Sequence, residues 1–138
     1  MLPVNCGSHA DYQHFVVTNF RKYYPDPAAL ARSTWDIIER FWNLDLSFTD
    51  TFMADKYSKF GPTPRTPSCM QRSYLLSIDF KVTSLTEWAA QLKMNPLYAI
   101  LSGFEPGNTP GVGTFYDFIN RLWNSDYTQF FLKEALLL

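Results

Sequence analysis

The stretch Val82-Thr83-Ser84-Leu85-Thr86-Glu87-Trp88 reads as the start of a helix. Ser84 and Glu87 have capping-box spacing: the hydroxyl accepts from the backbone N–H of the third helical residue, whose side chain reaches back to the cap. Behind them Leu85, Trp88, Ala89 and Leu92 recur at helical intervals and form an apolar face. Asn95-Pro96 opens a short helix through Leu97, Ile100 and Leu101, and Gly103 stops it. Working backward, Ser68 is expected to cap a helix running to about Lys81, with Met70, Leu75, Leu76 and Phe80 available for packing. Working forward, a Gly- and Pro-rich turn spans Glu105 to Gly113. Thr114 is then expected to cap a helix that turns Phe115, Phe118, Ile119, Leu122 and Trp123 inward, and Ser125 to open a last one.

Toward the N-terminus the pattern stays helical. Residues 1–10 read as an unpatterned arm, and Tyr12, Phe15, Val16, Phe20 and Tyr23 then mark one helix. Asp26-Pro27 starts another, carrying Leu30, Thr34, Ile37, Ile38, Phe41 and Trp42 to about Asn43. A third is expected from about Phe48 to Ser58, with Phe48, Phe52, Met53 and Tyr57 inward. Gly61, Pro62, Pro64 and Pro67 make a stiff loop. The expected division is a helical N-terminal arm over 1–60, a Pro-rich linker over 61–67 and a helical, helix-turn-helix-like unit over 68–138. No alternating run is long enough for a strand, and no internal repeat is visible. The expected fold class is therefore all-α: short helices in a helix-turn-helix-like bundle preceded by a helical arm. The same ingredients build any small helical bundle, so pattern alone leaves DNA binding open.

Composition narrows the class. Hydrophobic residues make up 46% of the 138 and charged residues 18%, which is globular and not disordered. Trp35, Trp42, Trp88 and Trp123 are core anchors by expectation. A net charge of -1 argues against a strongly basic nucleic-acid coat, although whole-chain charge says little about local patches. Basic residues gather locally at Arg21 and Lys22 and at Lys56, Lys59 and Arg65, where they serve either as solvated surface or as contacts. Cys6 and Cys69 make neither a disulfide framework nor a zinc site, and fit a reducing cytoplasm. The first residues lack a signal-peptide pattern, and no apolar stretch approaches the roughly 20 residues of a membrane helix. A cytoplasmic protein without membrane contact is expected. The apolar ending Leu136-Leu137-Leu138 reads as a truncation inside a helix.

Three ordered pieces carry a resemblance. The first runs from Pro67-Ser68-Cys69-Met70 through Arg72-Ser73-Tyr74-Leu75-Leu76 to Val82–Trp88. The second is Asn95-Pro96-Leu97-Tyr98-Ala99-Ile100-Leu101-Ser102-Gly103-Phe104. The third is Pro110-Gly111-Val112-Gly113-Thr114-Phe115-Tyr116-Asp117-Phe118-Ile119-Asn120-Arg121-Leu122-Trp123. Together, over about Pro67 to Trp123, they resemble the N-terminal region of bacterial insertion-sequence transposases of the DDE class. The resemblance implies a unit that helps recognise the terminal inverted repeats of the element. It also implies that the catalytic carboxylates belong to a ribonuclease-H-like domain beginning beyond Leu138. This chain departs from the family in charge, being less basic than a DNA-contacting region often is.

The chemistry visible in the sequence agrees with binding and not catalysis. Two-metal strand transfer needs carboxylates held together, and Asp11, Asp36, Asp50, Asp55, Asp79, Asp117 and Asp126 form no such motif. Asp117 reads as a first-turn acid behind Thr114, favoured by the helix dipole. His9 and His14 lie near Cys6 and are either metal ligands or part of a flexible arm. The segment Gly107 to Thr114 lacks the Gly-Lys-Ser/Thr ending of a phosphate loop and reads as a turn. Its glycines still leave room for a DNA phosphate against the backbone. No cofactor is expected. The candidate contacts to double-stranded DNA are Arg65, Arg72, Lys81, Thr83, Thr86, Lys93 and Arg121. Arginine and lysine supply salt-dependent phosphate affinity, and hydroxyls orient on phosphates. Two other readings stay open: a helical module that forms homo-oligomers or binds another protein without reading DNA, and an enzyme, which the missing acid–base set disfavours.

Overall fold

The computed structural model describes residues 8–54, 57 and 64–123, and among these all regular structure is helical. Ser8 caps α1 (His9–Tyr23) with a full capping box: its hydroxyl accepts from the Asp11 N–H at 3.2 Å, and the Asp11 carboxylate accepts from the Ser8 N–H at 3.0 Å. The helix therefore starts inside the segment expected to be an unpatterned arm. Asp26 accepts from the Ala28 N–H at 3.1 Å and opens a 3-10 turn over Pro27–Ala29. It leads into α2 (Arg32–Asn43). The two helices run in opposite directions. The Gln13 amide and the His9 ring meet the Trp42 carbonyl at one end, and the Phe20 and Trp35 rings lie 5.6 Å apart near the other.

A short α3 (Phe48–Met53) packs on α4 (Pro67–Asp79). Asp50 makes the join. Its two carboxylate oxygens accept from the Ser68 N–H at 2.7 Å and the Ser68 hydroxyl at 2.8 Å. Ser68 is thus not the cap expected of it: Pro67 holds the first turn and Thr66 precedes it. Behind α4 the chain turns through Lys81, which has a left-handed backbone at φ 60, into α5 (Leu85–Met94). The Ser84 hydroxyl caps α5 by accepting from the Glu87 N–H. Asn95 alone joins α5 to α6 (Pro96–Ser102), accepting from the Leu97 N–H at 3.1 Å. Gly103, at φ 102, ends α6. The last described helix, α7 (Val112–Trp123), starts two residues before Thr114, so Thr114 lies within its first turn and does not cap it.

Helix α6 is the axis of the bundle. Leu97, Ala99, Ile100 and Leu101 are all buried, and α1, α4 and α5 pack around them. Trp88, Phe115, Met70 and Leu76 are fully enclosed, and Tyr12, Val16, Ile38, Phe41 and Met53 belong to the same cluster. The Tyr12 hydroxyl donates to the Leu101 carbonyl at 2.6 Å. Through it the first helix of the expected arm shares its core with the helices behind the linker. Trp123 departs from expectation. It is 67% exposed, because it sits a further 100° around α7 from the inward Leu122. Residues 1–7, 55, 56, 58–63 and 124–138 lie outside the described residues. Cys6, the expected extension of the third helix to Ser58, most of the Pro-rich loop and the helix from Ser125 fall there.

Candidate nucleic-acid interface

The turn between α4 and α5 is built from the backbone. The Lys81 N–H donates to the Ile78 carbonyl at 3.0 Å and the Val82 N–H to the Ser77 carbonyl at 2.9 Å. This closes the end of α4 and swings Lys81 into solvent. Helix α5 is then pinned from inside. The Trp88 indole N–H donates to the Ser73 hydroxyl of α4 at 2.9 Å, and its ring stacks on Tyr98 of α6 at 5.0 Å. Ala89 and Leu92 complete the buried side. The opposite face is open: Thr83 and Ser84 at the foot, then Thr86, Ala90 and Lys93, are all exposed. Positions 86, 90 and 93 have the spacing of one helical stripe. Four of the expected contacts, Lys81, Thr83, Thr86 and Lys93, therefore share one turn and one rigid helix. Ala90 belongs with them and is absent from the sequence-derived set; its place between Thr86 and Lys93 in the stripe is the available signal.

Arg65 and Arg121 come together elsewhere, in a groove beside α7 that Tyr57, Thr114 and Asp117 also line. Arg65 donates to the Asn108 carbonyl at 2.7 Å and to its side-chain oxygen at 3.0 Å, so half its fork already holds the loop before α7. The Arg121 guanidinium lies 4.4 Å from the centre of the Tyr57 ring. Burial pushes the Tyr57 phenol up, and Arg121 draws it part of the way back.

Arg72 is a correction. Its relative exposure is 2%, so it cannot reach a phosphate. It stands four residues before Leu76, on the inward side of α4. The guanidinium donates to the Ser102 carbonyl at 3.2 Å and lies 3.6 Å from the centre of the Tyr12 ring. Burial raises both the Tyr12 hydroxyl and the Cys69 thiol, and the Arg72 charge opposes each rise. Arg72 organises the core.

Lys81 and Thr83 also border an open groove between α4 and α7, where Tyr74, Ile78 and Tyr116 are exposed. Among the described residues no three His, Cys, Asp or Glu side chains gather as a metal site would require, and no helix is long and apolar enough to cross a membrane. Comparison with protein-family models, curated proteins and solved structures gives no match.

Proposed function

We propose that this chain is the DNA-binding, N-terminal portion of a transposase, and that it recognises duplex DNA at the ends of the mobile element. One observation carries the reading: α5, fixed from behind by Trp88, offers a free face of Thr86, Ala90 and Lys93, with Lys81 and Thr83 at its foot. A helix of this width fits the major groove of B-form DNA, where its first residues approach the base edges. Lys81 and Lys93 neutralise phosphates, and the threonine hydroxyls set the register. Arg65 and Arg121 give a second contact to the backbone. The catalytic step belongs to another part of the parent protein, and this portion performs none. The ordered resemblance over Pro67 to Trp123 supplies the choice of element ends as the target. The cytoplasm is the expected compartment.

The test is binding of the chain to a terminal-repeat duplex and to a scrambled duplex, followed by fluorescence anisotropy across a salt series. A protein of net charge -1 makes few phosphate contacts, so affinity is modest and falls as salt rises. Replacing Lys81 and Lys93 with Ala weakens binding to both duplexes and flattens the salt dependence. Thr86→Ala removes a positioning contact and weakens binding to both duplexes. A chain that shows no salt-sensitive binding at low ionic strength is not a DNA reader, and the protein-interaction reading then replaces this one.

A further inference from the structure

Helices α1 and α2 do not close on each other along their length. Between them lies a groove of apolar side chains, with Val17 and Phe20 on one wall and Trp35 and Trp42 on the other, all only half-buried. Its rims are charged and of opposite sign. Arg21 stands on the α1 side, and Asp36 and Glu39 stand on the α2 side. All three are exposed, and none forms an ion pair with another described residue.

We propose that this groove is a self-association surface whose occupant is the same face of a second copy of this chain. In a two-fold dimer a surface meets itself, so every feature must find its complement within the one patch. A face with rims of one sign repels its own copy. This face carries both signs on opposite walls, so a two-fold axis running along the groove brings Arg21 of each copy to Asp36 and Glu39 of the other. The tryptophan and phenylalanine rings lose water in the middle, and the ion pairs close the edge. Aromatic centres with charged rims are the anatomy of protein interfaces. The contact involves none of the residues assigned to DNA, so it stands or falls independently of that reading.

The experiment is sedimentation equilibrium of the full chain, without DNA, over a range of concentrations. Three samples are compared with wild type: Arg21→Glu, the double variant Asp36→Arg with Glu39→Arg, and an equal mixture of the two. The altered side chains are exposed, and far-UV circular dichroism checks that each variant keeps its helices. Wild type is expected to dimerise. Each variant alone places like charges at both rims and dimerises at least about tenfold more weakly. In the mixture the glutamate introduced at position 21 of one chain meets the arginines introduced at positions 36 and 39 of the other. Native pairs form at the second rim, and dimerisation returns. A wild-type chain that is monomeric at every concentration overturns the proposal and leaves the groove to a different partner. A dimer indifferent to both charge reversals places the interface elsewhere, and a mixture that fails to recover excludes the two-fold register.

Discussion

The Arg72 guanidinium lies 3.6 Å from the centre of the Tyr12 ring, on the inside of the protein. Helix α4 supplies the cation and α1 the ring, while the Tyr12 hydroxyl reaches on to Leu101 of α6. Three helices separated in sequence are thus tied at one point. A desolvated cation–π contact is worth about 2 kcal/mol and an orphaned carbonyl acceptor about 1 kcal/mol, so Arg72→Ala is expected to cost about 3 kcal/mol. Tyr12→Phe keeps the ring and loses the hydroxyl, and is expected to cost about 1 kcal/mol. Urea denaturation measures both. An Arg72→Ala protein as stable as wild type, with weakened DNA binding, would mean that the side chain works at the surface.

Trp88 gives a second expectation, because its indole is fully buried and its N–H has the Ser73 hydroxyl as partner. Trp88→Ala leaves a large cavity and is expected to cost about 3–5 kcal/mol. Ser73→Ala keeps the packing but orphans the indole N–H, and is expected to cost about 1–3 kcal/mol. Thermal denaturation ranks them, and the two substitutions combined should cost less than the sum of the singles, since the hydrogen bond is lost only once.

At Gly103 two penalties can be separated. Its φ of 102 disfavours any side chain, and a Cβ added there would come within 2.7 Å of the Cys69 sulfur. Gly103→Ala is therefore expected to destabilise by more than the roughly 1–2 kcal/mol of left-handed backbone strain alone. Adding Cys69→Ala to it should recover the steric part and leave the backbone part. A double variant no more stable than Gly103→Ala would show that the sulfur is not the obstacle.

Asp50 makes stability depend on pH. Burial raises its carboxyl above the ordinary 3.8, although the two Ser68 hydrogen bonds and the Arg72 charge pull it down. The folded state consequently holds this proton more tightly than the unfolded chain does. Its contribution to stability is complete below the ordinary value and is lost as pH rises through the folded value. Asn fits the same place and does not titrate. The stability of wild type minus that of Asp50→Asn should therefore shrink as pH rises through the acid range. Denaturant titrations at several acidic pH values give that difference directly, and a difference that grows with pH would reverse the assignment.

What is readable in the sequence is what acts over a few residues. Ser84, Asn95-Pro96 and Gly103 set helix ends through their own neighbours, and all three do so in the structure. With the start of α5 fixed, its phase follows, which is why Lys81, Thr83, Thr86 and Lys93 fall on one accessible edge. Ser68 escapes a local reading because its partner, Asp50, lies 18 residues earlier. Thr114 escapes it because the Phe115 N–H bonds back to the Gly111 carbonyl, and the helix is under way before the threonine. The charge of Arg72 argues for the surface, whereas its position one turn before Leu76 argues for the interior, and the position wins. The meeting of Arg65 with Arg121 depends on the fold as a whole and has no local signature.

The bond from Tyr12 to Leu101 spans 89 residues, and the one from the Leu97 N–H to the Tyr24 hydroxyl spans 73. Helix α1 meets α2 early, but the side that carries Tyr12 acquires its partner only when α6 exists. On a ribosome that makes about 5–20 residues per second, that side of the first helix waits several seconds uncovered. Small helical proteins usually fold quickly because their contacts are local, and here the contacts of α1 with α6 are non-local ones that must close to finish the core. Its folding is expected to be slow for its class, and early release of the nascent chain before residue 101 would yield a product that aggregates.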